Sequence, residues 1–353
     1  MLFASQRCYR SLSKMIHQEF SKVSPISDIR QLVVCSGKLE QLSFAHTEPT
    51  LLPILPVLIF AAELTFSLLF GMHMMGDTMM HRLGELSICI LLWLVAVRIA
   101  ALLLSFGFAF HNATIPQRQS TSGWIATFFR EFLATLLAFT FLIPFRFFFA
   151  PHRNENQTAP ETVVLLVHGL LSNSGVWWLF SRRLKKALPG QFKCLSIDSI
   201  DLGAPFASMD SYVKVLDGRI KRIRRNKNVE IILIGHSMGG LVCRAWLGVN
   251  EGKDIKRLIT IGTPHQGSQC ANLLGAANLK QMRLASLWLQ KLPATPTIKT
   301  TAIYSVHDNL VVPFTSGFSK GFDSVQLAGT GHLGLLFDRR VIASVNGLLR
   351  NSN

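Results

Sequence analysis

The chain has 353 residues, a formal net charge of +16, 49% apolar residues and a mean hydropathy of +0.33. That is too apolar for an ordinary soluble enzyme, and the excess sits in residues 51–150. Six cysteines, only three of them (Cys194, Cys243, Cys270) within 151–353, argue against a disulfide framework.

Residues 1–50 carry mixed charge without a sustained period and read as a polar, cytoplasmic tail. Residues 51–150 read as a membrane region of two or three transmembrane helices. Leu51–Phe70 is a 20-residue apolar stretch broken by Pro53, Pro56 and Glu63, and Leu86–Phe110 a 25-residue stretch interrupted by Arg98. Both suffice to cross hydrocarbon, which takes about 20 residues. Phe132–Phe145 is apolar for 14 residues and reaches Phe149 past Arg146. A third span and an interfacial helix are both open there, and we expect the span.

These segments are too long, too many and too far from the first residue for a cleavable signal peptide. Glu63 and Arg98 are costly in lipid and are expected to find partners within the helices, each other included. Six Lys/Arg in the tail against one, Arg82, between the first two spans put the tail in the cytoplasm. Three spans would then turn the rest of the chain outward, into periplasm or lumen; two would leave it in the cytoplasm.

Residues 151–353 change character. Thr162–Val167, Phe192–Ile197, Ile231–Ile234, Lys256–Ile261, Thr300–Val306 and Ser324–Leu327 read as strands. Ser208 is placed to cap a helix in which Ser211, Tyr212, Val215, Leu216, Ile220 and Ile223 recur at helical spacing. A further helix starts near Leu241, and Arg339–Arg350 closes the chain. Strands alternating with helices imply an α/β fold: a mostly parallel sheet with helices on both faces. About 190 residues suffice for one such core.

Gly235-His236-Ser237-Met238-Gly239 lies between the Ile231–Ile234 strand and the following helix. In that context Gly-x-Ser-x-Gly is a sharp turn that lifts a serine hydroxyl clear of the sheet, and Ser237 is the candidate nucleophile. A serine needs a base and a group to orient it. His307-Asp308-Asn309 follows the Thr300–Val306 strand and puts Asp308 at the carboxyl end, where catalytic groups collect. His332 follows the next strand in a glycine-rich loop, Gly329-Thr-Gly331-His332-Leu-Gly334. His307 is the rival base, but beside Asp308 on an extended chain it would point the other way. Asp323 is the rival acid, but it precedes its strand and belongs at the opposite edge of the sheet. His236 is expected to pack beneath the turn, and His265 to shape the site. Two backbone N–H groups are needed for a developing oxyanion, and those of Met238 and Leu170 are the candidates.

Taken together, His168-Gly169-Leu170, Gly235–Gly240, Gly262-Thr-Pro-His-Gln-Gly-Ser268, Tyr304–Asp308 and Gly331–Leu336 resemble an α/β-hydrolase of the bacterial lipase type, over residues 162–350. The resemblance implies an acyl-ester hydrolase with Ser237, Asp308 and His332 as its triad, working without metal or organic cofactor. It also implies a membrane-anchored lipase or esterase, in the manner of bacterial inner-membrane relatives that carry such a segment before this domain. An acyltransferase or thioesterase with the same triad is the nearest alternative, and a non-catalytic membrane scaffold the alternative from another class.

Residues 269–293 show no strand pattern and carry an apolar stripe. A lid over an acyl pocket and an ordinary buried helix are equally open. The basic runs Arg182–Lys186 and Lys221–Lys227 lack a nucleic-acid motif and interleaved aromatics, so no nucleic-acid partner is expected. Anionic lipid headgroups fit them better. Headgroup, chain length and oligomeric state are not legible.

Overall fold

The computed structural model describes residues 79–112, 120–152, 162–188, 195–225, 229–250, 252, 255–273, 275–293 and 297–350. The expected tail, the expected span Leu51–Phe70 and Glu63 lie outside these residues.

Six strands form one sheet: β1 (Thr162–Val167), β2 (Leu195–Ile200), β3 (Glu230–His236), β4 (Ile255–Ile261), β5 (Thr300–Ser305) and β6 (Asp323–Leu327). Their order is β2-β1-β3-β4-β5-β6 and every pairing is parallel. Successive side chains of a strand point to opposite faces, so the apolar runs feed two cores. Val163, Leu165, Val167, Ile231 and Leu233 pack under α5 (Met209–Arg224) and α6 (Met238–Asn250). Val164, Leu166, Ile232 and Ile234 pack under α4 (Trp178–Ala187) and α9 (Arg339–Arg350) on the other face. Each fully buried branched side chain contributes about 1.5–3 kcal/mol, so the central strands dominate stability.

One strand departs from expectation. Within the described residues β2 runs from Leu195 past the expected end at Ile197, through Asp198 and Ser199, to Ile200; the expected start, Phe192–Cys194, lies outside them. Those two polar residues made the segment look finished, but their side chains are satisfied inside. Asp198 is 1% exposed and pairs with Arg219 of α5 at 2.5 Å. The Ser199 hydroxyl donates to the Pro151 carbonyl at 2.6 Å. α5 itself starts at Met209, with the Ser208 side chain accepting from the Ser211 N–H.

Before the sheet, α1 covers Met79–His111 and α2 covers Thr121–Leu137; α2 continues through a π turn, Ala138–Leu142, and a short α3 (Arg146–Phe149) follows. The expected segment Phe132–Phe145 therefore starts eleven residues too late. Ser120 caps the helix by accepting from the Gly123 N–H, and the polar residues that interrupt its apolar pattern, Thr127 and Glu131, face inward and are buried. Arg98 donates to Thr140 Oγ1 of the π turn at 3.3 Å and to the Leu94 carbonyl.

By length and composition, Glu85–His111 and Thr121–Leu142 are two helices able to cross a membrane. α1 leaves Leu91, Leu92, Leu103, Leu104 and Phe110 exposed, and α2 leaves Ile125, Phe129 and Leu133. α1 and α2 meet through Phe106, which packs against Trp124 and Phe128.

This helical region is sutured to the sheet. Asn173 donates to the Ile143 carbonyl at 2.8 Å, Arg146 pairs with Asp201, and the Phe149 ring meets Trp178 edge-on. Arg182–Lys186 falls on α4 and the described part of Lys221–Lys227 on α5 and its cap, and these helices cover opposite faces of the sheet.

Candidate active site

Ser237 stands between β3 and α6 at φ +54°, one of three non-glycine residues with positive φ among the described residues. Such a conformation costs about 1–3 kcal/mol and persists only where the surroundings impose it. They do so here. The Ser237 N–H donates to the Ile261 carbonyl of β4 at 2.9 Å, and its own carbonyl accepts from Gly240. A Cβ on Gly235 would stand 2.5 Å from the Gly240 backbone, and one on Gly239 would collide with the Val167 and His168 carbonyls. Only glycine lets the helix start this close to β1 and β3.

Asp308 and His332 follow β5 and β6 and converge. His332 Nδ1 lies 3.0 and 2.9 Å from the two Asp308 oxygens, with both side chains buried. Asp308 Oδ1 also accepts from the Leu310 and Val311 N–H groups at 2.9 and 2.8 Å. Burial alone would raise the Asp308 pKa, but the His332 charge and these donors outweigh it and hold the carboxyl below its ordinary value. The same balance acts inversely on His332. Burial disfavours the imidazolium, yet the Asp308 carboxylate, its hydrogen bond and the nearby Glu131 raise its pKa above the usual histidine value.

β4 ties the pair to the serine. Ile261 receives the Ser237 N–H, and at the next residue, Gly262, a Cβ would stand 3.4 Å from Asp308 Oδ2 and 3.5 Å from His332 Cε1. On the other side Gly169 approaches Ser237, where an added Cβ would lie 3.3 Å from the hydroxyl oxygen. Leu170 follows, half-buried, and Met238 opens α6 fully buried.

Four other buried histidines, His168, His236, His265 and His307, have other partners. His307 Nδ1 accepts from the Gly329 N–H at 2.8 Å, and its ring meets Trp124 edge-on at 4.6 Å. His236 lies under the turn, its ring 4.9 Å from that of His332, and burial pushes its pKa down to about 3. His168 accepts from the Leu202 N–H at 3.0 Å and is pushed down to about 4, chiefly by burial. His265 is held by Thr260 and Arg244. Asp323 is exposed at the amino end of β6, opposite Thr301.

Three residues with a part in this site escaped sequence reading. Asn309 Oδ1 accepts from the His332 N–H at 3.0 Å, while its amide donates to Ser105 of α1 at 2.9 Å. Glu131 of α2 accepts from Leu333 and Gly334. For Glu131 a signal was present: an acid within an apolar stretch asks for a partner.

Residues 269–293 form a 3₁₀ turn (Gln269–Asn272), α7 (Ala277–Met282) and α8 (Leu287–Gln290). Leu279, Met282 and Leu289 are buried in the core beneath α5 and α6, whereas Leu273 and Leu287 are exposed. Gln281 and Trp288 hydrogen-bond to the first turn of α5.

The parallel sheet, its flanking helices and the strand–serine–helix turn define an α/β-hydrolase fold. A family model described as the alpha/beta hydrolase fold matches residues 162–304. Triacylglycerol lipase 2 of Saccharomyces cerevisiae is 34% identical over 117 residues, a match covering 31% of this chain and 35% of the yeast protein. The chain thus spans about a third of the length of that curated relative. Among solved structures, Aspergillus fumigatus lipase B is similar with a TM-score of 0.48 and 17% identity, covering 56% of this chain and 55% of that one. The mature lipase BlEst2 of Bacillus licheniformis gives 0.46 and 16%, covering 57% and 96%.

Proposed function

We propose that the protein is a membrane-anchored serine hydrolase that cleaves carboxylic esters of lipids. The observations that support this reading are the buried Asp308–His332 pair and the strained backbone of Ser237 at the turn from β3 into α6. Ser237 attacks the ester carbonyl as His332 accepts its proton, and Asp308 fixes the imidazole tautomer and stabilises the imidazolium. The N–H groups of Met238 and Leu170 receive the oxyanion. His332 returns the proton to the leaving alcohol, then activates the water that releases the acid.

Lipid as the ester source is supported by the yeast lipase relative and by the apolar faces of α1 and α2. α1 is the anchor in this reading, and the outward face of α2 meets acyl chains next to the catalytic loops. The test is hydrolysis of p-nitrophenyl esters, C4 through C16, by detergent-solubilised protein beside Ser237→Ala. Ser237-dependent turnover rising with chain length supports a lipase. Turnover confined to short chains makes it an esterase, and none on any ester removes the hydrolase reading.

A further inference from the structure

The loop that carries His332 is held by side chains from outside the sheet. Three consecutive backbone N–H groups, of His332, Leu333 and Gly334, would otherwise be buried without acceptors. The first is taken by Asn309 Oδ1 at 3.0 Å; the other two by the Glu131 oxygens at 2.8 and 2.7 Å. Glu131 is 1% exposed and lies on α2, about two hundred residues earlier in the chain.

The loop is shaped around that carboxylate. A Cβ on Gly331 would stand 2.6 Å from the Glu131 carboxyl, and one on Gly334 2.9 Å from Oε2. The glycines flanking His332 therefore make room for Glu131. Its neighbour Arg130 donates to the Gly329 carbonyl at 2.8 Å, Trp124 packs on His307, and Asn309 is fixed in turn by Ser105 of α1.

We infer that Glu131 is a positioning residue for His332, making the helices that precede the sheet a working part of the catalytic centre. The inference rests on the function proposed above. Glu131 acts through geometry: its two acceptor oxygens take the Leu333 and Gly334 N–H groups and so set where the imidazole stands. The other groups facing His332 are His236, which burial keeps neutral, and Asp308; Arg130 reaches only the Gly329 end of the loop.

The experiment uses the full chain in detergent, with p-nitrophenyl butyrate as substrate and a fluorophosphonate as active-site probe. Wild type is compared with Glu131→Ala and the near-isosteric Glu131→Gln. Glu131→Ala should lower kcat at least tenfold with KM within about twofold. Glu131→Gln keeps one acceptor and should recover part of kcat. Wild-type kcat in folded Glu131→Ala overturns the inference, as does a fall in melting temperature alone. A variant change confined to KM also overturns it. If wild type neither turns over nor labels at Ser237, the hydrolase reading falls and the inference with it. Labelling of wild type with unaffected Glu131 variants removes the inference alone.

Discussion

His332 Nδ1 contacts both oxygens of Asp308, at 3.0 and 2.9 Å, while Asp308 Oδ1 is also bound by two backbone N–H groups. The carboxylate is thereby held from two sides, with its charge retained in a buried site.

A pH dependence follows from this pair. His332 must be neutral to accept the serine proton, and its pKa is raised by Asp308 and Glu131 against the effect of burial. Activity is therefore complete above the raised value and lost as pH falls through it. The acid limb of kcat/KM should lie above about 6.5, the ordinary histidine value. A pH–rate profile on a soluble ester checks it, and a limb at or below that value contradicts it.

Asp308→Asn removes the charge and favours the wrong tautomer. On the precedent of serine-protease triads, kcat should fall on the order of 10⁴-fold with the fold intact. Steady-state kinetics beside a thermal melt would read this, and a loss under tenfold would remove Asp308 from the triad.

Ser237 carries backbone strain that glycine does not feel. Ser237→Gly should abolish turnover yet raise stability by about 1 kcal/mol. Gly239→Ala acts oppositely, since its Cβ meets the backbone carbonyls of Val167 and His168, which cannot move aside. It should cost about 1–3 kcal/mol or more. Chemical denaturation of the two variants tests both signs.

The elements that the residue pattern placed well are those whose apolar faces agree with their burial. β1, Ile231–Ile234 of β3 and Leu258–Ile259 of β4 are branched or apolar and buried, and α9 has a clear amphipathic period, so all were legible. β2 was ended three residues short, at Ile197, because Asp198 and Ser199 are polar, and their partners, Arg219 and Pro151, are distant in sequence. α2 was misplaced for the same reason: Thr127 and Glu131 break the apolar run, and the loop that satisfies Glu131 follows two hundred residues later. In the candidate site, Ser237, Asp308 and His332 each follow a strand and could be proposed from chain order. The contributions of Asn309, Ser105 and Glu131 exist only once the chain is folded.

Arg219→Ala should measure how far the buried Asp198 depends on its partner. Breaking such a pair leaves a carboxylate that is 1% exposed without a counter-charge, at a cost of about 3–5 kcal/mol. A loss below about 1 kcal/mol in urea unfolding would mean that the Ser199 N–H, which Asp198 also accepts at 2.9 Å, suffices.

The exposed face of α1 predicts how the chain is held. Replacing Leu92 and Leu103 by Arg puts two charges on that face, at about 2.5–3.5 kcal/mol each near a helix centre. Wild type should resist alkaline carbonate extraction from membranes, and the double variant should be released in part. Release of wild type would remove α1 as an anchor.

The most direct test of the central claim is fluorophosphonate labelling of the folded protein, with the modified residue located by mass spectrometry. The account predicts one adduct, on Ser237, lost in Ser237→Ala and slowed in Asp308→Asn. An unlabelled folded protein, or an adduct on any other residue, would contradict it.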